Sequence, residues 1–125
     1  MMIFSLPWPP SLNTYYRHIS RGKLAGRTLL SERGRQYRID SLAAIYEQNV
    51  PTGLYQNRIG ITIGACPPDN RKRDLDNLLK SVLDALTHTR VIRDDSDIDD
   101  LRIVRGSKVP GGLLTIGLFE LGVLQ

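Results

Sequence analysis

The chain has 125 residues, 41% of them hydrophobic and 24% charged, with 17 Lys and Arg against 13 Asp and Glu for a formal net charge of +4. That is the length of a single domain, 1–125, and no apolar run approaches the ~20 residues needed to cross a bilayer, so no membrane association is expected. Cys66 is the only cysteine and His18 and His88 the only histidines, which excludes an internal disulfide and leaves a Cys/His zinc site short of ligands.

In chain order, Met2–Leu6 reads as a short strand stopped by Pro7, Pro9 and Pro10. The same prolines, and the lack of a basic leader, argue against a signal peptide, so a cytoplasmic protein is expected. Residues 11–30, rich in Gly, Ser, Asn and Arg, are expected to be a mobile loop. Ser31 is a good N-cap for a helix running to about Gln48, with Tyr37, Leu42, Ala44, Ile45 and Tyr46 as its apolar positions. Arg58–Cys66 alternates Ile59, Ile61, Ile63 and Ala65 with Gly60, Thr62 and Gly64, as a strand does. Leu75, Leu78, Leu79, Val82, Leu83 and Leu86 then fall on one helical stripe. Leu101–Val104 and Leu113–Phe119 read as strands, joined through Pro110, Gly111 and Gly112 as a hairpin. The predicted class is α/β (α+β): a mixed sheet packed by about two helices.

Charge is distributed unevenly. Residues 1–40 carry seven cations, Arg17, Arg21, Lys23, Arg27, Arg33, Arg35 and Arg38, against Glu32 and Asp40. Nine of the thirteen acids lie in residues 69–100. The densest contrast is Arg71–Lys80, RKRDLDNLLK, where three cations abut Asp74 and Asp76. Cations hold a polyanion by its phosphates, whereas paired carboxylates repel one and are tolerable beside it mainly when they bind a metal ion. On an extended entry to the helix, Asp74 and Asp76 at i, i+2 point together, and Lys80 lies one helical turn past Asp76. The alternative is that one aspartate caps the helix and Lys80 makes a surface ion pair.

A second acidic run, Ile92–Asp100, follows the helix. It fails as a calcium loop: with Asp95, Asp97 and Asp99 at positions 1, 3 and 5, Asp100 stands where Gly is required and Gly106 where Glu is. It reads either as a solvated loop or as the source of a carboxylate that joins Asp74 and Asp76. At about 4 Å each such pair would repel by roughly 4 kcal/mol at an effective dielectric of 20, so the site would demand a divalent cation, and all-oxygen ligands favour Mg²⁺ or Mn²⁺. These features point to metal-assisted phosphodiester cleavage.

The run RDLDNLLKSVLDAL at Arg73–Leu86, the pair Asp94 and Asp95, the opening LPWPPSLNTYYRH at Leu6–His18 and SERGRQYR at Ser31–Arg38 together resemble the RusA family of Holliday junction resolvases. The connector Thr87–Arg93 departs from the family pattern, with Arg90 where a small or glycine-containing turn is usual. The resemblance implies a metal-dependent endonuclease that resolves four-way DNA junctions by paired symmetric nicks, in recombination and repair. It implies Asp74, Asp76 and Asp95 as catalytic metal ligands, Lys80 as the catalytic lysine, and a homodimer. Two symmetric nicks need two sites, which a two-fold dimer supplies. Arg71, Lys72 and Arg73 are then expected to hold phosphates beside the scissile bond, and Arg17, Arg21, Lys23 and Arg27 to follow the DNA backbone. Trp8, among prolines, is expected to be a packing anchor. Competing readings are a non-catalytic DNA-binding module, a less specific metal-dependent nuclease, and a transferase using Asp-x-Asp to hold a nucleotide diphosphate.

Overall fold

A computed structural model describes residues 1–122. Its main sheet has four strands in the order β1-β6-β4-β5: β1 is Met2–Leu6, β4 Ile59–Cys66, β5 Ile98–Arg105 and β6 Leu113–Glu120. β1 and β4 both pair antiparallel with β6, while β4 and β5 run parallel. Parallel neighbours need a crossover, and here it is α3, Asp76–His88. Two further helices, α1 (Leu12–Tyr15) and α2 (Glu32–Glu47), and a two-stranded ribbon of β2 (Tyr16–His18) and β3 (Thr28–Leu30) complete an α+β architecture.

The strong periodicities fold as their spacing predicts. Ile59, Ile61, Ile63 and Ala65 of β4 are buried, and the α3 stripe packs on them through Leu78, Val82 and Leu86, joined by Ile116 and Leu118 of β6. The Ser31 hydroxyl caps α2 by accepting from the Gly34 amide at 3.0 Å. On α2 the buried positions are Gly34, Tyr37, Ser41 and Ile45, whereas Leu42 and Tyr46 face outward. The α2 stripe is therefore narrower than its apolar composition suggests.

Two expectations are overturned. β5 and β6 do not form a hairpin, because they lie on opposite sides of β4. The connector between them arches over the end of β4, where the Gly106 amide donates to the Ala65 carbonyl and the Val109 amide to that of Pro67. Inserting β4 between them satisfies both backbone edges of the most apolar strand, which a hairpin would have left at the sheet margin. Residues 11–30 are not a simple loop either. They form α1 and the β2–β3 ribbon, paired from Tyr16 with Leu30 to His18 with Thr28, with glycines at positive φ (Gly22 and Gly26, both 83°) in the connecting turn.

The ribbon is seated on the helices through a second, smaller core of Tyr15, Tyr37 and Ala85. Gly34 permits this contact. A Cβ there would fall 2.4 Å from the Tyr15 carbonyl oxygen and 2.7 Å from Leu30.

Candidate active site and nucleic-acid interface

β4 ends at Cys66, and the chain crosses to α3 through a loop organised by Asp69. Its carboxylate accepts from the Arg71 amide at 2.9 Å and pairs with Arg73 at 2.7 Å. The hydrogen bond from Arg73, reinforced by that amide, lowers the Asp69 carboxyl to about 2. The Arg73 guanidinium also lies over the Trp8 ring, 5.7 Å from its centroid, and the Arg73 carbonyl accepts from Arg105 at 2.7 Å. Of the three cations expected to face phosphates, Arg73 is thus half-buried and paired, Arg71 is exposed with a longer contact to Asp69 at 3.7 Å, and Lys72 is exposed.

Asp74 precedes the helix and Asp76 is its first residue; both are exposed, as is Lys80 one turn on. The entry is not extended. Leu75 already has helical angles, φ −61° and ψ −36°, and the Asn77 amide closes a turn onto the Asp74 carbonyl. The helix start has no side-chain cap, so the capping alternative fails for both aspartates. None of the ion pairs among the described residues includes Asp74, Asp76 or Lys80. Three exposed charged groups at the entry to α3 thus have no ion-pair partner among the described residues and are available to an external ligand.

Asp95 sits elsewhere in the chain. It opens a 3-10 turn, Asp95–Asp97, that leads into β5, and Ile98 at the start of β5 is in register with Ile59 at the start of β4. Asp74 and Asp76 follow the opposite end of β4. Eight-residue strands rising ~3.3 Å per residue separate the two ends by roughly 20 Å, about the length of α3 itself. The expectation that Asp95 joins Asp74 and Asp76 about 4 Å away within one chain is therefore corrected. Among the described residues no three His, Cys, Asp or Glu side chains converge as a metal-holding group. Mg²⁺ is usually held by one or two carboxylates together with substrate phosphates and waters, so the all-oxygen pair Asp74 and Asp76 still fits such an ion.

The turn bearing Asp95 is held rigidly. Asp94 caps it by accepting from the Ser96 amide at 3.0 Å, and Arg93 grips the buried Asp97 with two bonds of 2.8 and 3.0 Å. Arg58 adds a contact to Asp97 at 3.7 Å and pairs with Asp99. The Arg93 hydrogen bonds hold the Asp97 carboxyl below its ordinary range. Asp97 and Asp94 thus support the turn, leaving Asp95 exposed at its surface. Spacing alone could not separate these roles among five neighbouring aspartates.

Arg17, Arg21, Lys23 and Arg27 are all exposed on the ribbon and its turn. The neighbouring aromatics serve packing: Tyr15 is fully buried and Tyr16 is half-buried against it, edge to face at 4.9 Å. The Tyr15 hydroxyl donates to Asp84 on α3, which Arg38 of α2 also grips. Burial and this hydrogen bond raise the Tyr15 hydroxyl well above its usual range.

The family model for endodeoxyribonuclease RusA matches residues 7–116. The chain belongs to the RusA endodeoxyribonuclease family. A protein of Enterobacteria phage HK97 described as crossover junction endodeoxyribonuclease rusA is 44% identical over 118 residues, spanning 94% of this chain and 93% of that protein. Proteins of Shigella sonnei and Escherichia coli described as crossover junction endodeoxyribonuclease RusA are each 40% identical with the same coverage. The match spans the ribbon, α2, the α3 entry and the 3-10 turn together, so the charged groups above lie within the family's domain. Among the described residues no helix is long and apolar enough to cross a membrane.

Proposed function

We propose that this chain is a Mg²⁺-dependent endodeoxyribonuclease, with Mn²⁺ able to replace Mg²⁺, that resolves four-way DNA junctions by paired symmetric nicks. It acts in recombination and repair in the cytoplasm of a bacterium or phage-infected cell, as a single domain in a homodimer. The observation that carries this reading is the unpartnered trio Asp74, Asp76 and Lys80 on the exposed entry to α3, in a chain of the RusA family.

Asp74 and Asp76 would hold the ion from one chain. Asp95, some 20 Å away within that chain, would act on the site of a second copy, which makes the dimer a chemical requirement as well as a symmetry device. When bound, the ion neutralises charge on the scissile phosphate and lowers the pKa of a water. Lys80 places its ammonium where negative charge grows on the phosphate oxygens during in-line displacement. The P–O bond to the 3′ oxygen breaks as water oxygen bonds to phosphorus, leaving 5′-phosphate and 3′-hydroxyl ends. Arg71 and Lys72 hold the flanking phosphates, and the ribbon cations Arg17, Arg21, Lys23 and Arg27 follow the duplex arm.

The test is cleavage of a synthetic four-way junction beside a linear duplex of the same sequence, with Mg²⁺. Paired nicks in the junction alone are expected. Equal cutting of both substrates would leave the less specific nuclease, and junction binding without cutting would leave the non-catalytic module.

A further inference from the structure

A cavity of about 320 Å³ opens beside Asp74. Its walls are apolar where Trp8, Pro9 and Leu78 line it, and Asn77, Lys72 and Arg73, with Ser11 and Asp74, supply its polar groups. We propose that this cavity receives one nucleobase, unstacked from the nucleotide next to the scissile phosphate, and that Asn77 reads its edge. The proposal rests on the junction-nuclease reading and adds a base-selecting element to it.

The chemistry of the walls favours a base over a phosphate. A phosphate in the cavity would meet Lys72 and an Arg73 already paired with Asp69, but would also lie against apolar surface and the Asp74 carboxylate, whereas a base presents flat apolar faces to Trp8, Pro9 and Leu78 and a hydrogen-bonding edge to an amide. The Asn77 side chain offers a carbonyl acceptor and two N–H donors, enough for a two-point contact with a base edge. Its volume lies at the lower end of the ~300–1,000 Å³ common for small-molecule sites, suited to one planar ring system.

The aromatic wall is preformed. The back of Trp8 rests on Gly112, where a Cβ would fall 2.7 Å from the Trp8 Cβ, and the Arg73 guanidinium, itself fixed by Asp69 at 2.7 Å, lies 5.7 Å from the ring centroid. Trp8 is thus the packing anchor its proline setting predicts and a cavity wall as well. Lys72, exposed at the rim and absent from the ion pairs among the described residues, is available for the phosphate attached to the base. Unstacking a base costs a few kcal/mol and least where pairing and stacking are already disturbed, which at a four-way junction is the branch point.

The experiment places 2-aminopurine singly at each nucleotide flanking the cleavage point of a synthetic junction and adds the full-length protein with EDTA. One position should brighten several-fold in the wild type. The rise should be lost in Asn77→Phe, which fills the cavity from an exposed helix position and spares the core. In parallel, junctions differing only in the base at that position are cut with Mg²⁺. The wild type should discriminate by ~10-fold or more, and Asn77→Leu, which removes the hydrogen bonds, should discriminate far less.

No brightening at any position by a protein that binds and cuts the junction overturns the cavity's role and leaves the nuclease reading intact. Brightening that survives Asn77→Phe overturns it too. Brightening lost in Asn77→Phe without cleavage under any divalent ion supports the cavity and removes the nuclease reading.

Discussion

Arg38 on α2 holds Asp84 on α3 with both arms of its guanidinium, Nε to Oδ2 at 2.9 Å and Nη2 to Oδ1 at 3.0 Å, while the Tyr15 hydroxyl donates to the same carboxylate. One side chain thus ties together the helix that carries Asp76 and Lys80, the second helix, and the base of the cationic ribbon. Burial alone would raise the Asp84 carboxyl, but the hydrogen bonds from Arg38 and Tyr15 outweigh it and leave it lowered.

Asp84→Ala removes that junction and leaves the buried Tyr15 hydroxyl without its acceptor. A loss of about 2 kcal/mol is expected, lowering the melting temperature by roughly 6–10 °C. Because the folded-state pKa of Asp84 is depressed, its stabilisation is complete above the ordinary carboxylate value near ~4 and is lost as pH falls through the folded value. Thermal melts from pH 7 to pH 3 should therefore show the gap between wild type and variant closing only in acid. A gap independent of pH would assign the loss to packing.

Asp74→Asn and Asp95→Asn should each reduce cleavage by ~10³-fold or more while junction binding survives, because each removes negative charge from a DNA-facing surface. If Asp95 serves the site of the other copy, a mixture of the two variants contains heterodimers with one intact site and one doubly altered site. Such a mixture should nick one strand of the junction. A mixture as inactive as its components would place all three carboxylates in separate functions or in one chain's site.

Arg90 occupies the turn after α3 with φ 64°, in the left-handed region that favours glycine. Its carbonyl accepts from the Gly53 amide at 2.9 Å, a main-chain contact that substitution keeps. Arg90→Gly should relieve the backbone cost and raise stability by about 1 kcal/mol, read as a higher urea midpoint at unchanged slope. A lower midpoint would mean that the arginine side chain contributes more than its backbone costs.

Arg17 lies exposed on β2, and its charge makes none of the ion pairs among the described residues. Arg17→Ala should weaken binding to junctions of different sequence by a similar factor and reduce the slope of log affinity against log salt by about 1. An unchanged slope, measured by fluorescence anisotropy across a salt series, would take the ribbon off the DNA.

What the amino-acid sequence determined by itself was local. The alternation from Ile59 to Ala65, the stripe from Leu75 to Leu86 and the Ser31 cap each concern a few successive residues, whose own backbone geometry decides which face they show. The motif from Arg73 to Leu86 likewise identified the family and placed Asp74, Asp76 and Lys80 at a helix entry. Tertiary structure decided what meets what. Only strand order put β4 between β5 and β6, and only that order, with α3 as the crossover, sent Asp95 to the far end of the sheet from Asp74. Likewise only the packing of α2 on α3 made Asp84 the partner of Arg38 and Tyr15, 46 and 69 residues away in the chain. Such pairings are chosen by which arrangement buries the apolar faces and satisfies the strand edges of the whole domain, a balance that no short window of sequence contains.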